Sequence, residues 1–187
     1  MLHRVTRVLS IDPGSTNLGM AVLEINHFTN HVKVIHVTTF LVDNVVRHAF
    51  SNYEFIYGTS AARLYAIGEL VYSMCNAWGI DDVASEAPYM GRFPRAFEVL
   101  TYCMATIKAA LVRYYGDRPL VVYDPASVKV AMGVRGNSSD KQAIAIALTK
   151  QPYLDLNGFD INHLDEHSTD SIAVGCKYAK TLLGGVI

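Results

Sequence analysis

Apolar and polar residues alternate in short runs over the first forty residues, a pattern typical of partly buried strands. Three such runs cover 5–11, 19–25 and 31–40, and short polar connections join them. Connections this short suit antiparallel neighbours, so we predict a three-stranded antiparallel meander. Residues 41–58 lack a clean period, and we predict a loop there.

After the meander, helical and strand patterns alternate. Apolar residues within 59–78 fall on one helical stripe, and 94–115 is a second helical segment with Pro94 in its first turn and Gly116 just beyond its end. Short strands are predicted at "DDVASE" and "PLVVY", and further helices are predicted over 127–132, 139–148 and 165–183. A meander followed by strand–helix–strand crossovers predicts an α/β fold. Its five-stranded mixed sheet would have three antiparallel and then two parallel strands, flanked by helices.

The length and composition are those of one globular domain. No repeat, low-complexity tract or linker divides the 187 residues, so we predict a single domain over 1–187. No apolar run reaches the ~18 residues of a membrane span, and the first ten residues lack the features of a secretory signal. Cys75, Cys103 and Cys176 lie far apart in the sequence, which favours reduced thiols over disulfides or a zinc site.

The net charge is −1, but the charges are unevenly distributed along the chain. The segment 91–150 carries nine Lys or Arg against four Asp or Glu, whereas both flanking segments are acidic. A basic segment beside an acidic centre suits a nuclease, because metal-binding carboxylates alone would repel a phosphate backbone. Ordinary surface charge explains the same distribution equally well, so charge alone does not decide between them.

Two of the predicted strands end in an acid. In "VLSIDPGSTNLGMAV", Asp12 follows an apolar run that Pro13 and Gly14 terminate, and Glu86 ends the fourth strand two residues before Pro88. If the fourth strand lies parallel beside the first, the two carboxylates meet outside the carboxyl ends of the strands. Two acids there would repel each other without a cation between them. Either acid alone is equally well explained as a turn or cap residue.

The start of the last predicted helix, "LDEHSTDSIAVG", carries a third group of polar residues. His167 and Glu166 lie three and four residues before Asp170, so the three side chains share one helix face. Asp165 is placed to cap the helix, with Ser168 completing the turn. Oxygen ligands with one imidazole suit Mg²⁺ or Mn²⁺. Two such ions ~3.5–4 Å apart would activate water and stabilise the leaving oxygen of a phosphodiester.

Taken together, these segments resemble the RuvC-type Holliday junction resolvases of the ribonuclease H-like superfamily. The segment "IDPGSTNLGMAV" is similar to the family's opening strand, "ASEAPYMGR" to its second acidic strand, and "HSTDSIAVG" to its closing helix. The segment "YDPASVKVAMGVRGNSSDKQAIAIAL" is similar to its fifth strand and the helices that follow. The four segments occur in the family's order over most of the chain. Residues 41–75 do not align, and 152–163 would be an insertion or a longer loop.

The resemblance implies a set of metal ligands and two ions of Mg²⁺ (or Mn²⁺) in each active site. The implied ligands are Asp12, Glu86, His167 and Asp170. Many relatives have Asp at the position of His167, which leaves Asp165 or Glu166 as an alternative third ligand.

The resemblance also implies an endonuclease that cuts four-way DNA junctions by in-line attack of metal-activated water, without a covalent intermediate. Such an enzyme would be a homodimer with paired sites, and 94–115 would supply its interface unless the helix is buried within one subunit. Tyr89 would wedge into the junction, the alternative being a half-buried loop tyrosine. The residues predicted to hold backbone phosphates are Arg92, Arg95, Lys129, Arg135 and Lys141.

Such a protein would act in the cytoplasm, at the nucleoid or on viral DNA in a host cell, with an organellar location left open and no membrane partner. Three other functions remain possible from the sequence. One is a related nuclease of flaps, replication forks or RNA hybrids, and another is a non-catalytic junction-binding module. The third is an actin-like ATP-binding fold, because "DPGSTN" also resembles the first phosphate loop of that superfamily. The chain lacks the second domain and second glycine-rich motif that such a protein needs.

Overall fold

The computed structural model describes residues 5–90, 94–116, 119–135 and 142–187. A mixed six-stranded sheet forms its centre, with the strand order β5-β4-β1-β2-β3-β6. The strands are β1 (Val5–Asp12), β2 (Asn17–Asn26), β3 (His31–Leu41), β4 (Asp82–Glu86), β5 (Val121–Tyr123) and β6 (Leu154–Asp155).

The strand directions are those that the sequence predicts. Strand β2 is antiparallel to both β1 and β3, which gives the meander. Strand β4 lies parallel beside β1, with Ile11 opposite Ser85, and β5 lies parallel beside β4. The carboxyl ends of β1 and β4 therefore lie at the same edge of the sheet.

The prediction of five strands is wrong by one. Strand β6 lies in the segment 152–163, which we interpreted as an insertion or loop. It pairs in parallel with Val32 and Lys33 of β3. A strand of two residues is too short to show an alternating pattern, so periodicity could not identify it.

The prediction of a loop over 41–58 is also wrong. Two short helices occupy it, α1 (Val42–Ala49) and α2 (Ser51–Tyr57). Helix α1 buries only Val42 and Val46, and α2 buries no residue. One or two buried positions cannot establish a helical period, which explains why the pattern was missed.

Five further helices cover the two faces of the sheet. They are α3 (Thr59–Trp78), α4 (Pro94–Tyr115), α5 (Pro125–Ala131), α6 (Ala143–Thr149) and α7 (Glu166–Leu182). Helices α3 and α4 have the predicted bounds. The first three residues of the predicted helix 139–148 lie outside the described part of the chain. Helix α6 covers most of the remainder.

The alternation along β1 divides the core into two layers. Leu9 and Ile11 pack on one face with Ile67 of α3 and Ile107 of α4. Val8 packs on the other face in the layer that includes residues of α5, α6 and α7. Burial of each large apolar side chain contributes about 1.5–3 kcal/mol.

Gly175 lets helix α7 pack closely against the sheet. A Cβ on Gly175 would lie 2.7 Å from Leu23 Cδ1 and 2.8 Å from Ser10 Oγ. Cys75, Cys103 and Cys176 are buried as free cysteines. Within the described ranges, no helix is both long and apolar enough to cross a membrane.

Candidate active site

The ends of β1 and β4 bring two carboxylates together. Ile11 of β1 lies opposite Ser85 of β4, and these strands are parallel. Asp12 and Glu86 are the next residues along the two strands. Burial, together with the charges of Asp12 and Asp170, raises the pKa of Glu86 to about 8. The Asp12 side chain is only 14% exposed. Without a cation, this edge of the sheet therefore disfavours full ionisation of its acids.

His167 of α7 connects to the same edge. Its Nδ1 lies 2.7 Å from Asp12 Oδ2, and its Nε2 lies 3.2 Å from Asn17 Nδ2. If the Asn17 amide donates to Nε2, the imidazole is neutral and its Nδ1–H donates to Asp12. The hydrogen bond to Asp12 raises the pKa of His167, and burial opposes that rise. Protonation of Nε2 would require Asn17 to present Oδ1 instead.

Sequence reasoning missed Asn17, because the "STN" segment has the composition of a turn. Asn17 is the first residue of β2, and its side chain reaches His167 across 150 positions of sequence. Nothing in the local sequence distinguishes this asparagine from an ordinary turn residue. Only the folded arrangement identifies it.

Gly19 explains why α7 can begin so close to β2. It lies directly opposite Asp12 in the β1–β2 register, and a Cβ at this position would lie 2.2 Å from the backbone oxygen of His167. A side chain would displace the first turn of α7. The glycine five residues after Gly14 thus permits the contact between His167 and Asp12.

Asp170 lies one helical turn beyond His167 on the same side of α7. Burial raises its pKa to about 6, with Asp12 adding to the rise and the charges of His167 and Lys129 opposing it. Lys129 of α5 is half-buried, and its charge also opposes the rise in the pKa of Glu86. The acids and Lys129 therefore share one electrostatic environment.

Asp165 and Glu166 have different surroundings. The Asp165 carboxylate accepts from the Ser168 backbone N–H at 2.8 Å and from the Thr39 hydroxyl at 2.7 Å, so this residue caps α7. Partial burial disfavours its charge, but these hydrogen bonds outweigh that effect and its pKa is lowered. Glu166 is exposed, and its charge raises the pKa of Asp12 and Asp170.

The donor chemistry of this edge fits a hard divalent cation. Three carboxylates, at Asp12, Glu86 and Asp170, accompany one imidazole, and a cation would relieve their repulsion. Within the described residues, however, no group of three or more His, Cys, Asp or Glu side chains is already arranged to hold a metal ion. Both ring nitrogens of His167 also have partners. Metal binding would therefore require these side chains to converge.

The predicted DNA-binding residues are placed as follows. Tyr89 is 71% exposed, so the alternative of a half-buried tyrosine is wrong. Arg95 is exposed at the start of α4, and Arg135 is exposed beyond α5. Arg92 and Lys141 lie outside the described residues. Lys129 is the one of this set whose described position adjoins the acids.

No protein-family model matches the chain. Comparisons with individual proteins, however, agree with the resemblance. The chain is 25% identical over 175 residues to the crossover junction endodeoxyribonuclease RuvC of Nitratiruptor, covering 94% of this chain and 96% of the relative. It is 26% identical over 179 residues to the protein of the same name from Campylobacter hominis, covering 95% and 98%.

The fold agrees as well. The structure of Thermus thermophilus RuvC in complex with Holliday junction substrate superposes with a TM-score of 0.70 and 18% identity, covering 96% of this chain and 98% of that chain. Over nearly its whole length this chain is thus similar to the RuvC crossover junction endodeoxyribonucleases, and its fold is that of Thermus thermophilus RuvC.

Proposed function

We propose that this chain is a metal-dependent endodeoxyribonuclease that resolves four-way DNA junctions. The observation that carries the proposal is the grouping of Asp12, Glu86, His167 and Asp170 at the carboxyl edge of β1 and β4. The relatives named above are crossover junction endodeoxyribonucleases, and one solved structure holds a Holliday junction substrate. Both observations support the same activity.

Asp12, Glu86, His167 and Asp170 would hold the metal, which we propose to be two ions of Mg²⁺ or Mn²⁺. When bound, such ions activate water for in-line attack on a phosphodiester and stabilise the leaving oxygen. Asp165 would remain the cap of α7, because its carboxylate is already used by Thr39 and Ser168.

The protein side chains prepare this site in two ways. In the metal-free protein, Asn17 and Asp12 hold the His167 ring from opposite nitrogens. Ligation of a metal through Nδ1 would require this nitrogen to give up its contact with Asp12, while Asn17 would still orient the ring through Nε2. Glu86, with its pKa raised to about 8, is largely protonated at neutral pH in the metal-free protein. Metal entry would displace that proton, so metal affinity should rise with pH.

Residues around the site would hold the DNA. Lys129 lies beside the acids and is suited to a phosphate near the bond that is cut. Tyr89 is exposed three residues beyond Glu86, a position suited to a wedge at the branch point. Arg95 and Arg135, together with Arg92 and Lys141, would hold backbone phosphates, and binding should weaken with salt.

We propose a single domain over 1–187 that acts as a homodimer, since a four-way junction has approximate two-fold symmetry and needs two cuts. Helix α4 supports an interface because it exposes Val112, beyond its first three turns, while burying Cys103, Ile107 and Leu111 against its own subunit. The place of action would be the cytoplasm, at the nucleoid or on viral DNA.

The proposed substrate is tested with a panel of end-labelled DNA. Purified protein is incubated in Mg²⁺ with four-way, flap and linear duplex substrates of matched sequence. Paired cuts confined to the four-way junction support a resolvase. Equal cutting of flaps would retain the nuclease and overturn the junction specificity, and junction binding without cutting in Mg²⁺ or Mn²⁺ would indicate a binding module.

A further inference from the structure

A cleft of about 220 Å³ opens between the first turns of α3 and α4, beside the turn that follows Asp12. Two arginines from different helices, Arg63 and Arg95, line it, together with Ser15, Ser60, Leu64 and Tyr102. The mechanism described above uses Arg95 for a backbone phosphate, but it gives no role to Arg63, Ser15 or the cleft itself.

Arg63 is held in place from one side. Its Nε donates to Asp43 Oδ1 at 2.6 Å and its Nη2 donates to Asp43 Oδ2 at 2.9 Å. Two parallel bonds fix the plane of the guanidinium and leave Nη1 outside the pair. The side chain therefore presents a fixed donor group to the cleft, at little further entropic cost.

The helix ends add to the preference for an anion. Ser60 and Arg95 are the second residues of α3 and α4, which are 20 and 22 residues long, so both helices begin at the cleft. The first turns of a helix carry unpaired N–H groups and partial positive charge. Two such ends with two arginines favour a phosphate group.

The acids near the cleft have partners of their own. Asp43 binds Arg63, Glu54 accepts from the Thr59 hydroxyl at 2.8 Å, and Glu98 accepts from the Tyr102 hydroxyl at 3.2 Å. None of these three acids is among the lining residues. Asp43 offsets the charge of Arg63, so among the lining residues Arg63 supplies N–H donors and Arg95 supplies the positive charge.

The cleft lies close to the candidate active site. Ser15 follows Asp12 by three residues, so their Cα atoms are at most about 11 Å apart. A strand held with one phosphodiester at Asp12 would carry a neighbouring phosphate to this cleft.

We propose that this cleft binds a backbone phosphate of the DNA strand next to the phosphodiester that is cut, through Arg63, Arg95 and Ser15. The inference rests on the proposed nuclease function and adds a subsite to it. The subsite would fix the path of the strand along α3 and α4 and so set which phosphodiester reaches the acids.

The test measures junction affinity against salt concentration without divalent metal, so that no cutting occurs. Each phosphate contact to duplex DNA contributes about 0.9 to the slope of log affinity against log salt. Arg95→Gln and Arg63→Gln should each reduce that slope by about 0.9, and Arg95→Lys should keep most of it. Lys33→Gln is the matched control, because Lys33 is exposed near the start of β3, at the opposite edge of the sheet.

Unchanged slopes in Arg63→Gln and Arg95→Gln would overturn the subsite, even if the wild-type protein cuts junctions. An equal reduction in Lys33→Gln would overturn it too, since the effect would then be one of net charge. Reduced slopes in the two arginine variants alone would support the subsite. That result would stand even if wild-type protein failed to cut, which would count against the proposed function only. Thermal unfolding of each variant checks that the fold is retained.

Discussion

His167 Nδ1 lies 2.7 Å from Asp12 Oδ2, a contact that joins the start of the last helix to the end of the first strand. The two residues are 155 positions apart, and Gly19, opposite Asp12, leaves the space in which α7 approaches. The contact couples the charge of one proposed ligand to that of another. It also makes the site dependent on correct packing of α7 on the sheet.

His167 should be essential as a ligand but replaceable by an acid. We expect His167→Ala to slow junction cutting by roughly 10²-fold or more, the scale typical of losing a positioned catalytic group. His167→Asp, which introduces the ligand that the family resemblance implies for this position, should retain much more activity. Single-turnover rates with saturating Mg²⁺ compare the two variants. Equal rates for both would contradict a role as ligand.

Asn17 should act through His167. Asn17→Ala removes the contact to Nε2, and loss of such an orienting partner typically weakens metal binding about 10–100-fold. A Mn²⁺ titration of junction cutting measures the shift in half-saturation. Asn76→Ala is the control, because Asn76 makes only an exposed bond to the Tyr72 carbonyl among the described contacts. An equal Mn²⁺ requirement for both variants would contradict an effect of Asn17 on metal binding.

The metal-free protein should lose stability as pH rises. The raised pKa of Glu86, about 8 against 4.5 in a model peptide, means that the folded state binds more protons than the unfolded state between these values. The free energy of unfolding therefore falls with pH across this interval, by on the order of a few kcal/mol. His167 acts in the same direction, because its raised pKa gives stability that is present at low pH and lost as pH rises.

Urea unfolding at about pH 5.5 and 8 measures this change. Glu86→Gln removes one titrating group and should flatten the dependence, leaving the share of His167 and the other acids. Added Mg²⁺ should restore stability at the higher pH, because ligand binding to the folded state stabilises it. A wild-type protein that becomes more stable from pH 5.5 to 8 without metal would contradict the burial of these acids.

Gly19→Ala should damage both stability and activity. The new Cβ would lie 2.2 Å from the His167 backbone oxygen, so α7 must move, at a cost of about 1–3 kcal/mol. Gly68→Ala is a matched control in α3, where the nearest atom to the new Cβ is Thr106 Cγ2 at 3.1 Å. Urea unfolding and junction cutting are measured for both. Gly19→Ala with wild-type cutting would show that the approach of α7 is not needed.

Tyr89 should matter for DNA and not for the fold. Because its side chain is 71% exposed, Tyr89→Ala should change the free energy of unfolding by less than about 0.5 kcal/mol. Loss of one aromatic contact to a base is worth about 1–3 kcal/mol, so junction cutting should fall roughly 5- to 150-fold. Tyr89→Phe should retain the activity. A Tyr89→Ala variant as active as Tyr89→Phe would exclude a wedge.

The sequence predicts those parts of the structure in which many residues share one pattern. The bounds of α3 and α4 follow from long apolar stripes, and the meander follows from three alternating runs. Strand β6 and helices α1 and α2 bury too few residues to carry a pattern, so they emerge only from tertiary packing.

Some residues of the candidate site could likewise be predicted from the sequence, and others could not. Asp12 and Glu86 could be identified because an acid at the end of a buried strand is unusual, and the parallel pairing of β1 and β4 brings their positions together. Asn17 could not, since its role depends on a partner 150 residues away. The capping role of Asp165 was predictable as one alternative, but its bond to Thr39 was not.

The metal site of a junction-cutting enzyme is the role that we propose for Asp12 and its neighbours. Its most direct test is single-turnover cutting of a four-way junction by wild-type protein and Asp12→Asn in Mg²⁺, with junction binding measured for both. We predict paired cuts by the wild-type protein, no cuts by Asp12→Asn, and junction binding by both. Equal cutting by the two proteins would contradict the assignment of the site.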